Sequence, residues 1–390
     1  MTNNRVIKGR RAFLLGLGTL AGIGSVTIAG RLRNSNYLTQ ALDDEHRDFS
    51  ITGNATLSQR AAAKGLIYGG CAGYRVLSSD SEYANLFAKE CAILVPEVEF
   101  KWRNLHPKPN VFDFEKSDWL AEFAQSHGML LRGTALVWHN ALPKWFTREV
   151  NKQNAEQILI DHITKVAGRY AGRIHSWDVI NEVIHLPHKR SDGLRKSPWL
   201  NLLGPDYIDI AFHAAAKADP QALLVHNENR LEDVPNVEKR RTAVLKLLER
   251  MKSKGTPIHA LGLQGHLFRL GTETNFEPKK LQAFIRNVAS LGLKILITEM
   301  DVTDETLPTD ITVRDRVVAK AYEDYLSVVL NEPATICVIT WGLSDRYTWL
   351  SKNRPRKDGT PVRPLPLDTN LRPKLAWNAV ARAFDKTYKR

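Results

Sequence analysis

Eight short apolar runs recur along the chain, and the stretches between them carry helical periodicity. The runs are Leu66–Tyr68, Ala92–Val95, Leu130–Val137, Ile174–Ile180, Ala222–Val225, Ile258–Leu263, Leu293–Ile297 and Thr335–Thr340. Amphipathic segments follow at about 79–91, 115–127, 153–171, 206–219, 236–254, 278–291, 312–331 and 373–386, several closed by glycine (Gly128, Gly172, Gly255, Gly292), as helix C-termini prefer. Short runs without strict alternation suit strands buried on both faces, and regular strand-then-helix order implies a parallel sheet. Eight such units predict an α/β fold, a (β/α)8 barrel in one large domain over residues 61–390. A doubly wound open sheet is the alternative. It would want a phosphate-binding glycine loop after the first strand, and Gly69-Gly70-Cys71-Ala72-Gly73 does not match that pattern.

The polar residues fall at the ends of these runs. Glu97, Glu99 and Lys101 follow the second, Trp138 and His139 the third, Asn181 and Glu182 the fourth, and Asn227 the fifth. Gln264 and His266 follow the sixth, Glu299 and Asp301 close the seventh, and Trp341 follows the eighth. In a barrel the C-terminal strand ends share one face, where barrel enzymes hold their active sites. Carboxylates facing each other across such a mouth, among tryptophans, suggest sugar chemistry, because sugars offer apolar faces to rings and hydroxyls to acids and amides. Glycosidic cleavage needs one carboxylic acid to protonate the leaving oxygen and one carboxylate at the anomeric centre. Glu182 and Glu299, on the fourth and seventh strands, are the two best placed. A lone glutamate at a strand end is ordinarily a surface ion pair, but two framed by Asn181, Gln264, His266, Trp138 and Trp341 are not explained that way.

Trp177-Asp178-Val179-Ile180-Asn181-Glu182 resembles the acid/base motif of the family 10 glycoside hydrolases, mostly endo-β-1,4-xylanases, and Ile297-Thr298-Glu299-Met300-Asp301-Val302 resembles their nucleophile motif. Four further pieces stand in the family's order: Glu97 to Trp102, Arg132 to His139, Gly262 to His266, and Trp341 to Asp345 with Trp349 beyond. The resemblance spans residue 66 to about 385. It implies a retaining double displacement, with Glu299 as nucleophile and Glu182 as general acid/base. It further implies that Asn181 bonds the 2-hydroxyl of the attacked sugar, that His266 orients Glu299 and is held by Asp301, and that Glu97, Lys101, Trp138, His139, Gln264, Trp341 and Trp349 bind substrate. The chain departs from the family's usual pattern where Val98 replaces an asparagine, Thr134 a histidine and Ala141 a glutamine, and where Asn227-Glu228-Asn229 replaces Asn-Asp-Tyr. Xylan is the first substrate expected; a glucan, a substituted xylan, or a sugar-binding protein without turnover are the alternatives.

The net charge of +13 would suggest a nucleic-acid binder if it were spread over the fold. It is not. Residues 1–33 hold six Lys/Arg and no acid, and residues 351–390 hold eleven Lys/Arg against three Asp, so the middle is near neutral and no nucleic-acid partner is expected. The first segment, with Arg10-Arg11 before Phe13-Leu14 and an apolar, Gly-rich stretch to Gly30, resembles a twin-arginine export signal. Export to the periplasm or the exterior is therefore expected, with a membrane anchor as the alternative. Residues 34–60, polar and aperiodic, are expected to form a linker. Cys71, Cys91 and Cys337 fit no metal-ligand spacing and lie in or beside apolar stretches, so they are expected in the core, with a Cys71–Cys91 disulfide left open. The His185-x-x-His188 pair beside Glu182 lies in a loop next to Pro187 and is not taken as a metal site. No metal, no organic cofactor and a monomer acting on a polysaccharide are expected.

Overall fold

The computed structural model describes residues 47–232, 235–267 and 276–390. The basic and apolar export segment lies outside the described residues. Among those residues nine strands form one parallel sheet: β1 (Ile67–Ala72), β2 (Ile93–Pro96), β3 (Leu130–Trp138), β4 (Ile174–Asn181), β5 (Leu223–Glu228), β6 (Ala260–Leu263), β7 (His266–Leu267), β8 (Lys294–Val302) and β9 (Thr335–Thr340). Each strand pairs in parallel with the next through β6, β6 pairs with β8, β8 with β9, and β9 with β1, which closes an eight-stranded barrel. The two-residue β7 adds to the end of β8, pairing His266 with Asp301. All eight apolar runs are barrel strands, and the helices between them match the periodic segments to within two or three residues.

The barrel interior is filled in two ways. Cys71, Ile93, Val95, Val225, Ala260, Leu296, Cys337 and Ile339 make a small apolar cluster inside the ring. On β3 and β4 the inward positions are polar instead. Arg132 donates to Ser176 Oγ at 2.7 Å and pairs with Asp178, and all three are fully buried. A larger apolar layer lies between the strands and the surrounding helices, with Tyr68 against Phe384 of the last helix, Leu375–Lys386 (rings 5.8 Å apart, 71° between planes).

One expectation changes at the chain's start, while the thiols lie in the core as expected. Residues from 47 onward are packed into the fold rather than forming linker. Phe49 is 1% exposed, and its carbonyl accepts from Asn378. Thr56 caps helix Leu57–Ala62 through a reciprocal bond with Gln59, and Arg60 pairs with Asp385. Aperiodic polar sequence concealed this because the helix is only six residues long, too short to show a period. The three cysteines are buried and free, Cys71 facing the barrel interior and Cys91 the outer layer, so the first two do not pair.

Candidate active site

The strand ends deliver their polar side chains to one mouth. Asn181 is the last residue of β4, and Glu182 follows it in a left-handed conformation (φ 55°). Such a backbone is unusual for a residue with a side chain and needs support from its surroundings. Here the Glu182 N–H donates to Asn227 O at 3.0 Å, and its carbonyl accepts from Arg195 Nε at 2.7 Å. Glu299 lies within β8, whose length carries it to the same level.

Three amide side chains join the two glutamates. Gln264 Nε2 donates to Glu182 Oε1 at 3.2 Å and to Asn181 Oδ1 at 3.3 Å. Asn227 Nδ2 donates to Asn181 Oδ1 at 3.1 Å and to Glu299 Oε1 at 2.8 Å. The Asn227 amide is itself fixed by Thr298 Oγ1, which donates to its oxygen at 2.7 Å. Glycines make this closeness feasible. A Cβ on Gly262 would stand 2.4 Å from Asn227 Oδ1, and Gly265 (φ 77°) turns the chain between Gln264 and His266 against Ile297.

On the other side of Glu299, His266 Nε2 is 3.2 Å from Oε2 and Nδ1 is 2.8 Å from Asp301 Oδ1. Asp301 Oδ2 accepts from Trp349 Nε1 at 2.7 Å. Burial disfavours a charged imidazole, but the charge and hydrogen bond of Asp301, with those of Glu299, outweigh it and push His266 up to about 10. The ring is therefore an imidazolium at neutral pH, donating from both nitrogens. Glu182 is raised as well, which for a carboxyl favours the neutral form. Burial raises it, helped by the charges of Glu228 and Glu299 and opposed by its bonds with Gln264 and Trp138. The two carboxyl groups thus have different surroundings, Glu299 between an imidazole and an amide and Glu182 against one amide donor in a buried recess.

The remaining expected residues fall into two groups, Glu97 with Trp341 and Trp349, and Trp138 and His139 beside Glu182. The Lys101 ammonium lies 5.1 Å from the Trp138 ring centre and 5.7 Å from that of Trp341. Trp341 and Trp349 face His266, with ring centres 6.4 and 5.4 Å away. Glu97, half-buried, is raised by burial against the pull of Lys101. Its neighbour Glu99 is turned inward, accepting from Tyr74 N and Val98 N, and braces the loop. His139 lies outside the Glu299 cluster, beside Arg195 and near Glu182. Burial and the Arg195 charge push it down to about 4, so it is neutral. No group of three or more His, Cys, Asp and Glu among the described residues is arranged to hold a metal ion.

Four participants escaped the sequence reading. Asn227 was visible as a polar strand end but not as the link between the glutamates. Thr298 hides inside the nucleophile motif. Glu228 is fully buried and accepts from Ile184 N, Asn229 N and Arg240, so it shapes the loop after Glu182. Burial works against its charge, but Arg240 and His226 hold it down at about 2. Arg195 had no signal, being thirteen residues beyond the carbonyl it holds.

Known proteins resemble this chain over most of its length. Residues 56–383 match the model of Glycosyl hydrolase family 10. A β-1,4-xylanase of Dictyoglomus thermophilum is 36% identical over 312 residues, 76% of this chain and 84% of that protein. The crystal structure of native xylanase 10B from Thermotoga maritima superposes with a TM-score of 0.76 at 30% identity, covering 85% of this chain and 98% of that one. Xylanase 10B from Thermotoga petrophila RKU-1 in complex with xylobiose gives 0.76 at 29% identity, covering 86% and 99%. With the closed barrel and these matches across most of its length, the chain belongs to glycosyl hydrolase family 10 and is a glycoside hydrolase acting on O-glycosyl bonds.

Proposed function

We propose that this protein is a retaining endo-1,4-β-xylanase in which Glu299 is the nucleophile and Glu182 the general acid/base. The observation that carries the assignment is the divergence of the two carboxyl environments. Glu299 receives hydrogen bonds from His266 and from the Asn227 amide, whereas burial raises the Glu182 carboxyl, as suits a proton donor. Glu299 attacks the anomeric carbon as Glu182 gives its proton to the departing oxygen, forming a glycosyl-enzyme. Glu182, now ionised, takes a proton from water, whose oxygen displaces Glu299 and leaves the anomeric configuration unchanged. Asn181, held by Gln264 and Asn227, is placed to bond the 2-hydroxyl. Lys101, Trp138, Gln264, Trp341 and Trp349 line the glycone side, and Glu97 and His139 complete the substrate contacts. We assign no metal or cofactor to the reaction, and we propose a monomer exported through its N-terminal segment.

Xylan as substrate is supported by the names of the relatives, among them a β-1,4-xylanase and a structure holding xylobiose. The test is reducing-sugar release on β-1,4-xylan, mixed-linkage glucan and cellulose, with the anomer of the first product followed by proton NMR. Release from xylan with the β-anomer formed first is the expected result. An α-anomer formed first, or release from glucan alone, overturns the proposal.

A further inference from the structure

Glu228 closes β5 and is fully buried, where a carboxylate persists only if it is paired and hydrogen-bonded. Arg240 of helix Val237–Ser253 supplies the pair. Its Nη2 donates to Glu228 Oε1 at 2.6 Å, to Asn229 Oδ1 at 2.7 Å and to Ile184 O at 2.8 Å, and its Nε donates to Asn229 O at 2.9 Å. His226 Nε2 lies 3.2 Å from the other carboxylate oxygen. Two of these residues stand where the chain departs from the family's usual pattern, Glu228 for aspartate and Asn229 for tyrosine.

What the pair holds leads to Glu182. Glu228 Oε2 accepts from Ile184 N at 3.0 Å while Arg240 holds the Ile184 carbonyl, so both backbone polar groups of the second residue after Glu182 are fixed. The Glu228 carbonyl accepts from Gln264 N at 3.0 Å, and the Gln264 side chain in turn donates to Glu182 Oε1. Glu182 itself is left-handed, a backbone that persists only when its surroundings fix it. The pair also brings charge. Against its burial, Arg240 and His226 keep Glu228 ionised. Burial is the first cause that raises Glu182, and of the charges that add to it Glu228 comes before Glu299. Arg195 is the cation near both carboxylates, and His139 and Tyr207 are the other titratable groups that face Glu228.

We propose that Glu228, locked to Arg240, is a positioning residue for the general acid: it fixes the backbone just beyond Glu182 and supplies a permanent negative charge near the proton donor. Like charge favours the neutral form of Glu182, so the proton stays until the leaving oxygen takes it. The inference rests on the reading of Glu182 as the acid. Two variants and two substrates test it, xylo-oligosaccharides that need a proton on the leaving oxygen and an activated aryl xyloside that does not. Glu228→Gln keeps the shape but loses the charge, and leaves the Arg240 and Arg195 cations unopposed near Glu182. Its alkaline limb in kcat/KM on xylo-oligosaccharides should move to lower pH by about half a unit or more, with no such movement on the aryl xyloside. Glu228→Asp keeps the charge but draws it back by one methylene, so the limb should stay within about 0.2 units of the parent's. Its kcat/KM should instead fall at least about fivefold more on xylo-oligosaccharides than on the aryl xyloside, because the acid is displaced while the nucleophile is not. A limb that stays in place in folded Glu228→Gln overturns the proposal, as does a loss in Glu228→Asp that is equal on the two substrates. Should Glu228→Gln fail to fold, the Glu228→Asp comparison decides alone. A parent protein that cleaves neither substrate, or whose two profiles share one alkaline limb, sinks the reading of Glu182 as the acid instead.

Discussion

Asn227 donates its side-chain amide to Glu299 Oε1 at 2.8 Å and so ties that carboxylate to Asn181 and, through Gln264, to Glu182. A hydrogen bond to a charged group is worth about 1.5–3 kcal/mol, so Asn227→Ala should lower kcat/KM by about 10- to 150-fold. Asn227→Asp should do worse, because a second carboxylate would lie against Glu299. Steady-state kinetics on an aryl β-xyloside, with circular dichroism to establish folding, decide it. Equal activity in Asn227→Ala would remove this contact from the mechanism.

The two glutamates should fail differently. Glu182→Ala removes the proton donor, so an activated aryl xyloside should still form the glycosyl-enzyme, and added azide should restore turnover by attacking it to give a β-glycosyl azide. Glu299→Gln has no nucleophile and should give no turnover on any substrate. If azide rescues Glu299→Gln with the β-azide as product, the roles are reversed.

As the proposed acid Glu182 must be protonated to act, and burial raises its pKa from the ordinary carboxyl value. Activity on an unactivated chain therefore falls as pH rises through that pKa, which sets the alkaline limb of the profile. The bond from Gln264 favours the ionised form, so Gln264→Met should move this alkaline limb to higher pH even as it lowers the rate. The kcat/KM profile on xylo-oligosaccharides measures it, and a limb that stays in place or moves to lower pH contradicts the role given to Gln264.

Much of this was legible in the sequence because barrel strands and helices each span enough residues to show their period. Glu182, Glu299, His266 and Asp301 were legible because charged groups at the ends of buried runs need a reason to be there. What stayed hidden depends on contacts distant in the chain. Arg132 and Asp178 read as motif letters, and nothing local says that they fill the barrel interior as a pair. Arg195 and Glu228 likewise act through backbone groups, which no side-chain pattern records.

That buried pair makes a stability prediction. Asp178→Asn leaves the Arg132 guanidinium inside the barrel without its counter-charge, at a cost of about 3–5 kcal/mol. Replacing both, as Arg132→Met with Asp178→Leu, should recover a large part of the loss, since an apolar interior needs no compensation. Urea unfolding of the single and double variants measures the difference. A single variant as stable as the parent would show that the pair is not what holds β3 to β4.

The sugar site itself departs from the family pattern at Val98, Thr134 and Ala141, and the structure separates these three. Thr134 is 3% exposed and its hydroxyl bonds the buried Asp178, so it is engaged on the inward face of the barrel strands and is not open to the cleft. Val98 is 42% exposed, and Ala141 is half-buried in a left-handed turn (φ 60°) whose carbonyl accepts from Arg103 N. Two sugar hydrogen bonds are then missing, not three. At about 0.5–1.5 kcal/mol each, the loss is about 1–3 kcal/mol, or about 5- to 150-fold in kcat/KM if the bonds tighten in the transition state. The same vacancy could instead admit a group that xylose lacks, such as the hydroxymethyl of glucose. We expect the first outcome, because Trp349 is pinned by Asp301 and cannot swing aside to enlarge the site. The experiment is Val98→Asn with Ala141→Gln, compared on xylo- and gluco-oligosaccharides of equal length. A rise of about tenfold on the xylo series alone follows from an eroded xylan site, since each restored bond adds its share. An unchanged xylo value with a collapse on the gluco series would mean that the vacancy is the binding site for a glucose-containing chain.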